Sequence, residues 1–184
     1  DIMTYVAFKE SGFPRSRLFG MGNILDTIRF RTYIASELDV SREDTSALVI
    51  GEHGDSMVPL VEYASVSGIP ITNFLNQEQI DKIVHLTVTS GSDVIKLKGS
   101  TIYAPSAVIA ITADAILTGR NRVMSVSTCI DGEYGFSNLS IGVPVVLGKS
   151  GVEKIIELEL SNQTKERFAK SVAVVKEAIV ALKS

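Results

Sequence analysis

Three side chains in the first third of the chain have the types and spacing for proton transfer on an anionic molecule. His53 stands between two glycines in GEHGDSMVPL (51–60), directly after the apolar run Ala47-Leu48-Val49-Ile50, with Glu52 and Asp55 beside it. An imidazole exchanges a proton near neutral pH, and a carboxylate on one ring nitrogen fixes the tautomer and leaves the other nitrogen for a reacting group. Asp55 lies too close along the backbone to serve easily as that partner. Asp26 is better placed, because it opens a helix delivered by the glycine turn FGMGN. Arg29 follows three residues later, so both side chains share one helix face. A guanidinium grips a carboxylate through two parallel hydrogen bonds. Taken alone, a loop histidine serves structure more often than catalysis, and Asp26 with Arg29 on an isolated helix reads first as a surface ion pair worth little.

The elements that must carry these residues follow from periodicity. TYVAFKESGFP (4–14) reads as the end of a helix stopped by Gly12 and Pro14, and RLFGMGN (17–23) as a short strand entering the turn. Leu25, Ile28, Tyr33 and Leu38 recur at near-helical spacing over 25–38. ALVIGEHGDSMVPL reads as strand, loop and second strand. Residues 78–98 are ambiguous, because VTSGSDVIKL is rich in β-branched residues and Gly91 weakens a helix. Residues 104–118 predict an apolar helix ending at Gly119. From Arg122 to Leu158 the pattern turns to strands with glycine turns. The tail from Asn162 predicts an amphipathic helix with Phe168, Val172, Val175 and Ile179 on one face. The reading is one domain of α/β or α+β type.

Several function classes recede on composition. The 184 residues carry a net charge of −3 and no clustered basic stripe, so no nucleic-acid partner is expected. The apolar window 107–117 is too short to span a bilayer and contains Asp114, so no membrane partner is expected. Cys129 is the sole cysteine, which fits a reducing compartment; no secretory signal is visible, and a cytoplasmic setting is expected. The second histidine, His85, lies in another segment without metal-ligand spacing, so no metal is expected. GMGNIL (20–25) begins like a dinucleotide fingerprint but has Leu25 at the third glycine. GVPVVLGKS (142–150) has one residue too many for a phosphate loop and reads as a hairpin turn over Gly148-Lys149-Ser150-Gly151.

GMGNILDTIRFR followed by GEHGDSMVP resembles the catalytic half of the lactate/malate dehydrogenase family, and the resemblance continues through KLKGSTIYAPSA, DGEYG and IGVPVVLGKSGVEKIIEL to the final helix. It implies an α+β fold, the family's C-terminal domain, with antiparallel strands packed against long helices. It also implies that 78–98 is one long helix, bent near Gly91, in the substrate wall. By resemblance His53 is the acid–base, Asp26 its orienting partner and Arg29 the clamp on the substrate carboxylate. Thr101 lines the pocket near the nicotinamide carboxamide, and Pro105 falls where a side chain packs on that ring, so His53, Thr101 and Pro105 are the expected cofactor contacts. Asp55 is left to secure the loop.

The resemblance further implies NAD, or NADP, as cofactor, a small 2-hydroxy or 2-keto acid as substrate, a role in the tricarboxylic acid cycle, and a homo-oligomer, tetramer or dimer. TIYAPSA and HGDSMVPL look more like the tetrameric malate dehydrogenases of archaea and bacteria than the lactate dehydrogenases, which remain the alternative. Two other classes compete. A related NAD-dependent glycosidase needs a metal and a cysteine–histidine pair, and Cys129 is far along the chain from His53. A non-catalytic binding or oligomerisation module would not need Asp26, Arg29 and His53 together. No acceptable nucleotide fingerprint is present and the first residue is Asp1. The expectation is therefore a catalytic-domain fragment spanning 1–184, with residues 1–20 the tail of the crossing from an absent Rossmann half, and inactive in isolation.

Overall fold

The computed structural model describes residues 1–182; Lys183 and Ser184, the last two of the expected final helix, lie outside the described residues. Helix α1 (Ile2–Ser11) ends on Gly12 in the left-handed conformation. Helix α2 (Gly22–Leu38) is followed by five two-residue strands: β1 (Thr45–Ser46), β2 (Val49–Ile50), β3 (Val58–Pro59), β4 (Ser65–Val66) and β5 (Ile69–Pro70). Then come α3 (Gln77–Lys98) and α4 (Tyr103–Thr118), the long strands β6 (Arg122–Asp131) and β7 (Ser137–Gly148), the shorter β8 (Gly151–Ile155), and α5 (Asn162–Ala181). All strand pairings are antiparallel, in the sheets β1–β4–β5, β2–β3 and β6–β7–β8. The α+β expectation holds.

The β6–β7 pair organises the molecule. Seven consecutive residues of each strand are buried, so both faces are covered. Directly opposed residues share a face. Val126, Thr128 and Ile130 therefore stand with Val143, Ile141 and Leu139 on one side. The other side carries Ser125, Ser127 and Cys129 opposite Pro144, Gly142 and Ser140. Their small size lets Val49 and Asn23 come close on this face, while Gly20 and Gly51 pair along the edges. Gly20 exchanges both backbone bonds with Ser127 (2.7 and 2.8 Å), Gly51 does so with Gly142 (2.9 and 3.0 Å), and Ser125 Oγ donates to Val49 O at 2.5 Å. Ser127 and Gly142 are directly opposed, so the two bridges sit on opposite outer edges of the β6–β7 pair and fasten the start of α2 and the end of β2 to one rigid ribbon.

Helix α2 joins two apolar clusters. Ile24 and Leu25 enter the core around the sheet, whereas Phe30 and Ile34 enter a second one with Val49, Met57, Ile71, Ile80 and Ile83. Helix α2 begins at Gly22, three residues before the expected Leu25, so Asp26 lies in its second turn rather than at its start. The expected strand over 17–23 is replaced by a helical turn at Arg15–Arg17 and a single bridge at Gly20, because α2 begins before a ladder can extend.

Residues 78–98 are helical throughout, as the family resemblance implied and local propensity did not. The Asn76–Gln79 capping box starts α3, and Ile80, Ile83, Val84, Thr87, Val88 and Gly91 form a continuous helical stripe. Burial of that stripe outweighs the modest strand preference of its β-branched residues. The hairpin at 148–151 and the buried α5 face of Phe168, Val172, Val175 and Ile179 are as expected.

Candidate active site

Asp26 is completely buried, and its two oxygens go to different partners. Oδ2 lies 2.6 Å from His53 Nδ1, and Oδ1 accepts from Arg29 Nη1 at 3.1 Å. This is no solvated surface pair. With Nδ1 committed to Asp26, Nε2 is the ring nitrogen left to exchange a proton. Arg29 has no further hydrogen-bond partner among the described residues, so Nη2 and Nε remain for a ligand. Its side chain is 19% exposed, which leaves the free donors at an accessible but largely desolvated position.

Arg29 and His53 line a cleft of about 230 Å³ together with Leu25, Met57, Gly91 and Thr101. Pro105, in the first turn of α4, is not among the lining residues. A larger groove of about 470 Å³, bounded by Arg31, Tyr63 and Arg122, contains neither Asp26, Arg29 nor His53. The chemistry therefore sits in the smaller space. Its volume lies below the usual range for whole drug-sized ligands. It has room for a small molecule beside the free Arg29 donors, not for an entire dinucleotide.

The backbone around His53 is pinned residue by residue. Gly51 O accepts from the buried Asn23 Nδ2 at 2.9 Å, in addition to its exchange with Gly142. Glu52 N–H donates to Ser171 Oγ at 2.7 Å, and His53 N–H donates to Asp1 Oδ2 at 2.6 Å. Ser56 donates to Glu52. Gly51 has φ +89°, and a Cβ there would stand 2.7 Å from Ser171 Oγ, so both conformation and space demand glycine. Asp55, expected to secure this loop, is exposed and has no hydrogen bond or ion pair among the described residues; Asp1 and Ser171 do that work because their oxygens reach main-chain N–H groups from outside the loop.

The glycines of GMGN also find a purpose. A Cβ on Gly22 would fall 2.3 Å from His53 Cγ, and one on Gly20 2.6 Å from Thr4 Oγ1. They admit the imidazole and α1, and their spacing is about packing, not phosphate. Asn23, Ser171 and Asp1 were not singled out in the sequence. Ser171 carried a signal: a small polar residue on the α5 stripe, between Phe168 and Val175, implies a hydrogen-bond partner.

The family model for the lactate/malate dehydrogenase alpha/beta C-terminal domain matches residues 24–184. The chain belongs to the lactate/malate dehydrogenase family. It is 46% identical to the malate dehydrogenase of Halalkalibacterium halodurans over 184 residues, 99% of this chain and 59% of that protein. Among solved structures, the malate dehydrogenase from Salinibacter ruber superposes with a TM-score of 0.96 at 44% identity, covering all of this chain and 60% of the other. That from Aeropyrum pernix gives 0.95 at 39% identity, covering 98% and 61%. The chain thus spans about three-fifths of the length of these relatives.

Proposed function

We propose that this domain supplies the acid–base and substrate-binding residues of a malate dehydrogenase, interconverting malate and oxaloacetate. The observation that carries the reading is Asp26 bonding both His53 and Arg29, with the latter two facing one cleft. Arg29 grips the substrate carboxylate with its free Nη2 and Nε donors, which sets the position of the neighbouring C2. His53 Nε2 takes the C2 hydroxyl proton during oxidation, and the imidazolium so formed is stabilised by Asp26. In the reverse direction that imidazolium donates its proton to the ketone oxygen. NAD, or NADP, accepts or returns the hydride when bound. His53 and Thr101, which line the cleft, are the residues proposed to meet its nicotinamide end; Pro105 does not line it and is left out of that role, and the small cleft volume implies that the remainder is held by other parts of a longer polypeptide.

The preference for malate over lactate rests on the relatives at 44–46% identity, which are malate dehydrogenases. The cytoplasm and the tricarboxylic acid cycle are the proposed setting. Self-association is proposed through α4 and the residue that precedes it, where Ile102, Ile109 and Leu117 expose apolar surface. The decisive experiment compares two proteins. The 184-residue chain should bind oxalate but show no oxaloacetate reduction, and the same residues joined to a nucleotide-binding half should reduce oxaloacetate with NADH. Turnover of lactate in preference to malate by the longer protein would overturn the substrate assignment.

A further inference from the structure

The carboxylate of Asp1 ties the residue that carries the imidazole to the central sheet. Oδ2 accepts the His53 N–H at 2.6 Å, and Oδ1 accepts the Ser127 hydroxyl at 2.5 Å. Ser127 Oγ also lies 2.9 Å from Ser140 Oγ. A hydroxyl has a single proton, and that of Ser127 goes to Asp1, so Ser140 is the donor in the second contact. The direction of donation is therefore Ser140 to Ser127 to Asp1. Ser127 and Ser140 are buried in β6 and β7, and the backbone of Ser127 is further locked to Gly20 in both directions.

The neighbouring Gly51 and Glu52 are held by Gly142, Asn23 and Ser171, but the main-chain bond made by His53 itself among the described residues is the one to Asp1. The His53 side chain is 39% exposed, a glycine follows it, and Asp55 makes no hydrogen bond among the described residues. Asp26 fixes the ring at Nδ1, but a ring held at one atom still moves with its own backbone. We infer that Asp1 is a positioning residue for His53, holding the main chain in the place from which Nε2 reaches the substrate oxygen. Hydrogen bonds to an ionised carboxylate are shorter and stronger than neutral ones, which suits an anchor made by one oxygen per partner. Asp1 touches neither substrate nor cofactor in this account. The inference rests on the proposed role of His53 as acid–base.

The test uses Asp1→Ala and Asp1→Asn in the longer enzyme and in the 184-residue chain. Asn keeps an oxygen for the His53 N–H and can donate its amide to Ser127, which then turns its own proton to Ser140. Misplacing a reacting group by about 1 Å can cost about 100-fold, so Asp1→Ala should lower kcat about 10- to 100-fold. KM for the keto acid should stay within about twofold, because Arg29 is untouched. Asp1→Asn should recover most of the lost kcat. In the 184-residue chain, amide exchange at His53 should accelerate about tenfold or more in Asp1→Ala and much less in Asp1→Asn. Wild-type kcat in Asp1→Ala, or equal losses in both variants with KM raised and melting temperature lowered, would overturn the inference. If the wild-type enzyme itself fails to turn over, the functional reading falls, and the amide-exchange comparison alone decides whether Asp1 anchors His53. Should Asp1→Ala not fold, Asp1→Asn and Ser127→Ala carry the test: Ser127→Ala must lower kcat without raising KM.

Discussion

Gly91 of α3 faces the guanidinium of Arg29, and a Cβ at that position would stand 3.2 Å from Nη1. The glycine that makes 78–98 look unlike a helix thus leaves the space that the Arg29 guanidinium occupies. Gly91→Ala should pull stability and function apart. The helix should gain about 0.5–1 kcal/mol, the ordinary cost of glycine relative to alanine. Arg29 must then yield by a few tenths of an ångström, and KM for the keto acid should rise several-fold. Melting temperature and steady-state kinetics on the longer enzyme check both halves; an unchanged KM would show that Arg29 adapts freely.

Arg29→Lys keeps a charge but cannot supply two parallel donors. KM for the keto acid should rise by about tenfold or more, with the fold preserved. A wild-type KM in this variant would remove Arg29 from the carboxylate-binding role.

His53→Asn should lower kcat about 10²- to 10⁴-fold, the usual range for a general acid–base group. Its side chain is substantially exposed, so the melting temperature should hardly move. Loss of the folded state with retained specific activity would instead mark His53 as structural.

Asp26→Asn has wider consequences than a tautomer disturbance. Asp26 is fully buried and serves His53 and Arg29 at once, so the variant should lower kcat and raise KM together. It should also cost about 1–3 kcal/mol of stability, because Arg29 loses a charged acceptor. Denaturant unfolding beside kinetics tests this; a pure kcat effect at full stability would mean that Arg29 does not depend on Asp26.

Tyr134 provides an alkaline signature unrelated to catalysis. Burial, opposed by the Leu158 N–H that donates to its oxygen and assisted by nearby Glu157, pushes the phenol up to about 12 from 10.0. Its hydroxyl also donates to Ile156 O at 2.8 Å. The folded state then holds this proton more tightly than the unfolded state. The stabilisation is intact below about pH 10 and falls as the pH rises through about 12. Tyr134→Phe should be less stable at neutral pH but lose less between those limits. Urea unfolding of both proteins across that range decides it, and parallel curves would contradict the shift.

Much of the architecture is written locally. Gly12 and Gly119 end their helices because a residue without Cβ takes the left-handed conformation cheaply. The Gly148–Gly151 turn and the α5 stripe follow from short-range geometry alone. Asp26 and Arg29 share a face because helical spacing puts them there, and the pairing of L-D-x-x-R-F with G-x-H-G-D marks the family. What the sequence could not decide depends on approach between distant segments. Propensity misjudged 88–97 because the helix is fixed upstream, where Ile80, Ile83 and Thr87 are buried, and propagates from that nucleus through residues that are themselves half-buried or exposed. The division of the Asp26 carboxylate between His53 and Arg29 needed the β2 end and the start of α2 fastened to the same β6–β7 pair. Asp1 and Ser171 reach the His53 loop from 52 and 119 residues away in the chain. A hydrogen bond between such residues leaves no periodicity in sequence; it exists only once the sheet has fixed both ends, and that is why tertiary structure alone determined how the main chain under the imidazole is held.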